Sequence, residues 1–247
     1  MKGIILAGGT GSRLYPLTKV TNKHLLPVGK YPMIFHSVYK LKQADILDIL
    51  IVTGKEHMGD VVNLLGSGKE MGVTFTYKVQ DEAGGIAEAL GLAKHFVGED
   101  KMVVILGDNV FSDEISSYVQ NFREQDHGAK ILIQEVHDPQ RYGVPELAGD
   151  KIISIEEKPK FPKSGYAVTG IYMYDSHVFD IIKTLKPSGR GELEVTDVNN
   201  AYINKEELTF DVLKGWWTDA GTHASLVKAN ELAKDLDFGE EFGKLKL

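Results

Sequence analysis

The chain has 247 residues, of which 43% are hydrophobic and 26% are charged, and it contains no cysteine. This length is typical of one large α/β domain, and the lack of cysteine excludes disulfide bonds, thiol nucleophiles and cysteine-ligated metals. The formal net charge of -7 argues against a general nucleic-acid binder, and no apolar run reaches membrane-spanning length, so we expect a cytoplasmic protein without a membrane partner.

The first half of the chain alternates predicted strands and helices. Short apolar runs predict buried strands, and helical spacing of apolar residues predicts helices between them. The strands are 2–5, 46–52, 73–79 and 102–106, and the helices are 32–44, 61–65 and 86–96. This order predicts βαβ crossovers and therefore a Rossmann-like, three-layer α/β domain whose mostly parallel sheet is flanked by helices. Ligands bind such sheets beyond the carboxyl ends of the strands.

The second half is less regular. Its predicted strands are 129–136, 151–157, 167–174 and 208–213, and its predicted helices are 176–185, 195–203 and 222–236. Thr222 is a candidate N-cap of the last helix. No repeat or linker marks a boundary, so we predict a single domain over residues 1–247, with 137–215 as a candidate subdomain for a second substrate.

A glycine-rich loop follows the first strand, at Leu6-Ala7-Gly8-Gly9-Thr10-Gly11-Ser12-Arg13. Its glycines allow a sharp turn and close approach to a ligand, and successive backbone N–H groups form a concavity suited to phosphate. Residues 1–44 carry seven Lys or Arg and no Asp or Glu, whereas the remainder carries a charge of -14. The stretch therefore indicates a site for a polyanionic small molecule, although three glycines alone fit a simple strand-to-loop turn equally well.

Two common phosphate loops are excluded by the residues that follow. A dinucleotide fingerprint starting at Gly9 needs a third glycine where the chain has Leu14. A Walker A loop needs Gly-Lys followed by Ser or Thr after its spacer, and this combination is missing here. A nicotinamide-dependent oxidoreductase is therefore not favoured.

Two aspartates lie beside glycines. Leu106-Gly107-Asp108-Asn109 closes the fourth predicted strand, and Trp216-Trp217-Thr218-Asp219-Ala220-Gly221-Thr222 precedes the last helix. A turn aspartate and a helix-capping neighbourhood explain these motifs as well as a metal site does. Mg²⁺ typically takes one or two carboxylates together with phosphate oxygens and water, so two such aspartates converging on a triphosphate would suffice.

The N-terminal motifs resemble the signature of the sugar-phosphate nucleotidyltransferases, and more closely that of the glucose-1-phosphate thymidylyltransferases. The resemblance is carried by L-A-G-G-T-G-S-R-L at 6–14, P-L-T at 16–18 and N-K-H-L-L-P-V at 22–28, with His24 where many relatives have Gln. It covers nearly the whole chain. It implies the nucleotide-diphospho-sugar transferase type of fold and Mg²⁺-dependent transfer of a deoxythymidylyl group from dTTP to glucose 1-phosphate. A homo-oligomer is left open.

The same resemblance implies roles for individual residues. Catalytic roles fall to Arg13, Lys23 and Lys158. The nucleotide is expected against Leu6, Ala7, Gly8, Gly9, Gly11, Gln80, Gly85 and Asp108. The sugar phosphate is expected against Asn109, Tyr142, Gly143, Glu157, Lys158, Val168 and Glu194. Mg²⁺ is expected between Asp108 and Asp219, and Glu88 stands where the family usually has Gln.

Two other functions stay open at this point. A uridylyltransferase that uses UTP is hard to separate from the thymidylyl enzyme, because Gln80 can pair with uracil nearly as well as with thymine. A non-catalytic nucleotide-sugar sensor is less favoured, because such proteins tend to lose the metal carboxylates or the phosphate-binding lysine, and this chain keeps both kinds of residue.

Overall fold

A computed structural model describes residues 1–239 and Phe242. The strands of three or more residues are β1 Lys2–Ala7, β2 Asp48–Gly54, β3 Thr74–Gln80, β4 Met102–Leu106, β5 Asn109–Phe111, β6 Ala129–Glu135, β7 Gly143–Ala148, β8 Lys151–Glu157, β9 Tyr166–Tyr174, β10 Leu208–Val212 and β11 Trp217–Asp219. The helices are α1 Met33–Gln43, α2 Met58–Leu65, α3 Ile86–Gly91, α4 Lys94–Val97, α5 Ser116–Glu124, α6 Val178–Thr184, α7 Val195–Asn204 and α8 His223–Ala233.

The central sheet has seven strands in the order β10-β6-β9-β4-β1-β2-β3. Only β9 runs antiparallel to its two neighbours in this sheet, and the other pairings are parallel. The predicted α/β fold with a mostly parallel sheet is therefore confirmed. Within the described residues, three short ladders lie outside this sheet: β5 pairs with β11, β7 pairs with β8, and residues 27–28 pair with residues 31–32.

The register of the sheet collects the predicted loops at one edge. Leu6 of β1 lies opposite Val52 of β2 and Leu106 of β4, so the three strands end at the same level. The glycine loop follows β1, Gly54 is the last residue of β2, and Asp108 lies two residues after the end of β4. The motifs from the first half of the chain therefore meet beyond the carboxyl ends, where ligands bind parallel sheets.

The sheet is covered on both faces, as its strand patterns require. Along β1, Ile5 and Ala7 face one apolar cluster, and Ile4 and Leu6 face the other. This alternation follows from the two-residue period of a strand. All four side chains are almost completely buried, which is typical of a parallel strand between two helical layers.

The last helix anchors the N-terminal loop. Leu14, Leu26 and Val28 form a separate buried cluster with residues of α8 such as Leu226 and Ala229. Thr222 caps α8 as predicted, and its hydroxyl accepts from the backbone N–H of Ser225 in a capping box. Residues more than 200 positions apart therefore fix the entrance to the site.

Several predicted boundaries are wrong in detail. The predicted helix 86–96 is two helices, because the chain tightens after Gly91: Leu92 and Ala93 donate to carbonyls three residues back. Helix α5, which is mostly polar in composition, and the short strands β5, β7 and β11 were not predicted. No helix within residues 1–239 is long and apolar enough to cross a membrane.

The single-domain assignment and the subdomain 137–215 stay predictions. Within that range, β9 and β10 belong to the central sheet, whereas the hairpin of β7 and β8 lies outside it. Gly143 and Glu157, which pair at one end of this hairpin, line a cavity at the edge of the sheet.

Candidate active site

A cavity of about 550 Å³ opens at the carboxyl edge of the sheet. All predicted site residues line it except Ala7 and Gly11. Those two lie behind the loop: the Ala7 carbonyl accepts from the Asn22 amide at 3.3 Å, and the Gly11 carbonyl accepts from the Thr18 hydroxyl at 2.9 Å. They shape the loop rather than the cavity wall.

The glycines of the loop are required by space and by backbone conformation. A Cβ atom at Gly8 would lie 2.8 Å from Oε1 of Gln80. Gly9 and Gly11 have φ values of +89° and +63°, in the left-handed region that favours glycine. The loop can therefore bring backbone N–H groups to the cavity in a way that other residues would block.

Lys23 and Asp108 form an ion pair at the cavity floor. Their Nζ and Oδ2 atoms are 2.5 Å apart, and each side chain is only 13% exposed. Burial alone would raise the pKa of Asp108, but the Lys23 ammonium and hydrogen bonds from Lys23 and Asn109 hold this pKa well below its usual range. Asp108 is therefore an anion at every physiological pH.

His24 is a structural residue of the same turn. It is buried, and burial together with the neighbouring Lys23 charge lowers its pKa to about 3, so the imidazole is neutral. Its Nδ1 lies 2.7 Å from the side-chain oxygen of Asn22, which also accepts from the His24 backbone N–H at 2.9 Å. This packing fixes the turn that aims Lys23 at Asp108.

The ladder of β5 and β11 brings Asp219 beside Asp108. Asp219 lies opposite Asn109 in that ladder, and the backbone N–H of Ala220 donates to the Asp108 carbonyl at 2.7 Å. Burial and then the Asp108 charge raise the pKa of Asp219, against the opposing effects of Arg141 and Arg13. Two carboxylates that repel one another at one point are suited to a divalent cation.

One oxygen of Asp219 supports that assignment. Its Oδ1 is buried and accepts no hydrogen bond from the described part of the chain; the guanidinium of Arg141 is 3.7 Å away. An unsatisfied buried carboxylate oxygen is costly unless a cation or water binds it. Among residues 1–239 and Phe242 no cluster of three potential ligands exists, so phosphate oxygens or water would complete the coordination.

The opposite wall of the cavity is formed by β8, α7 and the chain before α7. The Glu157 carboxylate accepts from the Thr196 hydroxyl at 2.9 Å and lies 3.2 Å from the Lys158 ammonium. Arg190 forms a forked ion pair with Glu194, with N–O distances of 2.9 and 3.0 Å. Carboxylates and cations therefore alternate on this wall, an arrangement that can bind hydroxyl groups and an anion together.

Lys158 has an unusual backbone. Its φ is +47°, in the left-handed region that L-residues other than Asn and Asp rarely adopt, and its N–H donates to the Tyr142 carbonyl at 2.9 Å. Such conformations persist where the surroundings over-determine them, and they cluster at functional sites. This left-handed conformation at residue 158 ends the extended backbone of β8, so Lys158 does not continue the strand.

Asn109 holds the two walls together. Its side-chain oxygen accepts from the Gly170 backbone N–H at 2.9 Å and from the Trp217 indole at 2.7 Å. A Cβ at Gly170 would lie 2.6 Å from this amide, so glycine is required there. Trp217 in turn packs edge-on against Tyr142, with ring centroids 5.2 Å apart. The side chain of Asn109 therefore positions the wall more than it faces the opening.

The wall formed by the end of β3 and the start of α3 contains an unexpected contact. Gln80 donates through Nε2 to the Glu88 carboxylate at 2.5 Å and to the Gly85 carbonyl at 3.3 Å. The backbone N–H of Gly84 donates to the same Glu88 oxygen at 3.1 Å. Gln80 thus lines the cavity with an amide whose orientation is already set.

Sequence reasoning missed several lining residues. The lining residues outside the predicted site set are Ala83, Ile86, Ala89, Leu106, Arg141, Gly170, Tyr172, Arg190, Glu192, Val195, Thr196, Asn199 and Trp217. A usable signal existed for three of them, because Val195, Thr196 and Asn199 share one face of α7 by helical spacing. The others become neighbours of the cavity only through the packing of separate elements.

Comparison with known proteins identifies the family of this chain. Residues 2–235 match the model of the family described as nucleotidyl transferase. A glucose-1-phosphate thymidylyltransferase of Neisseria meningitidis is 43% identical over 235 residues, which is 93% of this chain and 81% of the relative. One from Xanthomonas campestris pv. campestris is 44% identical, over 92% of this chain and 79% of the relative.

Solved structures of similar proteins share the fold of this chain. A Bacillus anthracis protein assigned as a glucose-1-phosphate thymidylyltransferase, crystallised with sucrose, superposes with a TM-score of 0.96 at 69% identity, covering 98% of this chain and 99% of that one. A UDP-glucose pyrophosphorylase in complex with UDP-glucose superposes with a TM-score of 0.83 at 23% identity, covering 94% and 97%. The latter likeness concerns the fold alone.

Proposed function

The chain belongs to the nucleotidyl transferase family, and we propose that it transfers the deoxythymidylyl group of dTTP to glucose 1-phosphate, giving dTDP-glucose and pyrophosphate. The observation that carries this proposal is the meeting of the glycine loop, Lys23, Asp108 and Asp219 at one edge of the sheet. Fold likeness alone would not separate this reaction from others on similar scaffolds.

The reaction is an in-line displacement. An oxygen of the glucose 1-phosphate attacks the α-phosphorus, the bond from that phosphorus to the bridging oxygen breaks, and pyrophosphate leaves with the electron pair. The nucleophile is already an anion at neutral pH, so no general base is needed. The protein must instead position two mutually repelling anions and neutralise their charge.

On the nucleotide side, the chain supplies fixed positive groups. Backbone N–H groups around Gly8 and Gly9 would cradle the triphosphate, and the exposed Arg13 would close over it. Lys23 would hold the α-phosphate as charge builds there. A preorganised donor of this kind contributes roughly 3 kcal/mol to lowering the barrier, about a hundredfold in rate.

A divalent cation belongs to this site. The family generally uses a divalent metal ion, and we propose Mg²⁺ between Asp108 and Asp219, supported by the unsatisfied Oδ1 of Asp219. When bound, the ion would supply charge neutralisation for the triphosphate. The protein contributes the two carboxylates and keeps Asp108 ionised through Lys23.

On the acceptor side, we assign the sugar phosphate to the wall around Glu157 and Lys158. Lys158 would hold the attacking phosphate, and Glu157, Glu194 and the backbone near Val168 and Gly143 would accept from or donate to sugar hydroxyls. These positions line the same cavity as the proposed nucleotide site. The role of each residue is inferred from this placement.

A pyrophosphate-release screen tests the proposal. The protein is incubated with each nucleoside triphosphate and a set of hexose 1-phosphates, with Mg²⁺ or with a chelator. We expect the highest kcat/KM for dTTP with glucose 1-phosphate, UTP as the next substrate, and no turnover with chelator. Absence of turnover with every pair, in a folded sample, would contradict an enzymatic function. Preference for UTP would favour the uridylyltransferase alternative.

The cellular location and the oligomeric state of the enzyme are also inferred. We place the enzyme in the cytoplasm, where its charged substrates would be available, and leave room for a homo-oligomer. The proposed site draws only on residues of one chain, so a monomer would already hold a complete cavity.

A further inference from the structure

Glu88 lies on α3 beside the proposed base site, and its Oε2 receives two hydrogen bonds. The donors are Nε2 of Gln80, at 2.5 Å, and the backbone N–H of Gly84, at 3.1 Å. The second N–H of the Gln80 amide is directed at the Gly85 carbonyl, 3.3 Å away. Both donors of that amide are therefore used within the protein.

The chemistry of Glu88 fixes the orientation of Gln80. An ionised carboxylate accepts hydrogen bonds but cannot donate one, so only the nitrogen of the Gln80 amide can face it. The amide oxygen then points the other way, toward the glycine loop, where a Cβ at Gly8 would lie 2.8 Å from it. No hydrogen bond to this oxygen exists within residues 1–239 and Phe242.

We propose that Glu88 is a positioning residue that turns the carbonyl of Gln80 toward the base, so that the site selects a pyrimidine with a proton on ring N3. Thymine and uracil carry that N3–H and can donate it to the Gln80 oxygen. N3 of cytosine is an acceptor, so its lone pair would face a lone pair of the Gln80 oxygen, and the two would repel one another. This inference rests on the proposed function, because it assumes that a pyrimidine nucleotide binds here.

The residue type at position 88 decides how firmly this selection is imposed. A neutral glutamine there could either donate or accept, so the Gln80 amide would be free to turn and offer an N–H to N3 of cytosine. Specificity often comes from making the wrong partner unfavourable. A site that leaves a buried polar group unpaired rejects the wrong ligand far more strongly than one that lacks a contact.

The variant Glu88→Gln tests the inference with almost no change of shape. The measured quantity is kcat/KM for dTTP divided by that for dCTP, both with glucose 1-phosphate. We expect the ratio to fall about tenfold or more, chiefly through improved use of dCTP. Glu70→Gln, an exposed glutamate remote from the cavity, is the matched control and should leave the ratio unchanged. An unchanged ratio in folded Glu88→Gln protein would overturn the inference.

A second measurement does not depend on turnover. In ¹⁵N-labelled wild-type protein, the side-chain amide protons of Gln80 should resonate downfield and exchange slowly, because one donates to a carboxylate. In Glu88→Gln these features should weaken. Ordinary, fast-exchanging Gln80 protons in the wild type would overturn the inference. Failure of the wild type to use dTTP, with the amide signature present, would instead count against the proposed function alone.

Discussion

The half of the cavity around Gly8 and Gly9, the proposed nucleotide half, uses residues at the ends of three adjacent strands of the sheet. The half around Glu157 and Glu194, the proposed sugar half, is formed by the β7–β8 hairpin, helix α7 and the residues just before α7. In the first half, the parallel register places the loops together, and the contacts are fixed by buried groups such as Lys23 and Asp108. In the second, half-exposed ion pairs such as that of Arg190 and Glu194 arrange the side chains. The first half therefore depends on a largely buried ion pair, and the second on ion pairs that are partly exposed to solvent.

The largest effect is expected from Asp108→Asn, which changes a buried charged group in the proposed nucleotide half. The variant removes a proposed metal ligand and leaves the Lys23 ammonium without its counter-ion, so turnover should fall by about a hundredfold or more. Pyrophosphate release and circular dichroism measure activity and fold together. Asp126→Asn, at an exposed position, is the control. Near-normal turnover by folded Asp108→Asn would remove this residue from the proposed role.

A comparable loss is expected from Arg13→Ala, with the fold intact because Arg13 is exposed. Turnover should fall by about a hundredfold, and the KM for dTTP should rise more than that for glucose 1-phosphate, since the guanidinium lies in the proposed nucleotide half. Lys19→Ala, the control, removes a neighbouring exposed cation and should change neither turnover nor the two KM values. Equal changes in both KM values would show that the two halves are not separate.

A smaller effect, on stability, is expected from Asp219→Asn. The folded-state pKa of Asp219 is raised, so ionisation of this group as pH rises through that pKa costs stability when no cation is bound. At neutral pH the variant should be about 1 kcal/mol more stable than the wild type, about 2–4 °C in Tm, and the difference should vanish in acid, where Asp219 is protonated.

Added Mg²⁺ separates this effect from general stabilisation. The ion should raise the Tm of the wild type by mass action and leave that of Asp219→Asn nearly unchanged. Thermal unfolding with and without Mg²⁺ measures both. A lower Tm for the variant at neutral pH would mean that the carboxylate is satisfied without a cation.

The smallest effect concerns the sugar half and compares Lys158→Ala with Lys158→Gly. Both remove the ammonium and should raise the KM for glucose 1-phosphate equally, with little change for dTTP. Because φ is +47° at this position, the glycine variant should be about 1 kcal/mol more stable than the alanine variant. Chemical denaturation measures the difference. Equal stabilities would show that residue 158 does not hold this conformation in solution.

Much of the nucleotide half could be predicted because its chemistry is local. The glycine loop, Lys23 and Asp108 follow apolar runs whose parallel pairing puts their ends together, so chain order alone indicated a shared site. The site roles themselves came from a resemblance to a family and stay predictions. The sugar half was predicted residue by residue, but Tyr172 was missed because strand β9 approaches the hairpin only in the folded chain. Thr196 and Asn199 were missed although their helical spacing on α7 carried a signal.

The sequence by itself determined the alternating α/β order, the cap of the last helix at Thr222 and the glycines that a phosphate loop needs, because each depends on neighbouring residues. Tertiary structure decided that antiparallel β9 enters the sheet between β4 and β6, that the ladder of β5 and β11 sets Asp219 beside Asp108, and that Glu88 holds Gln80. These contacts join residues that are distant in the chain or lie on separate elements, and only the packing of a shared core selects such pairings from the many that local preference allows.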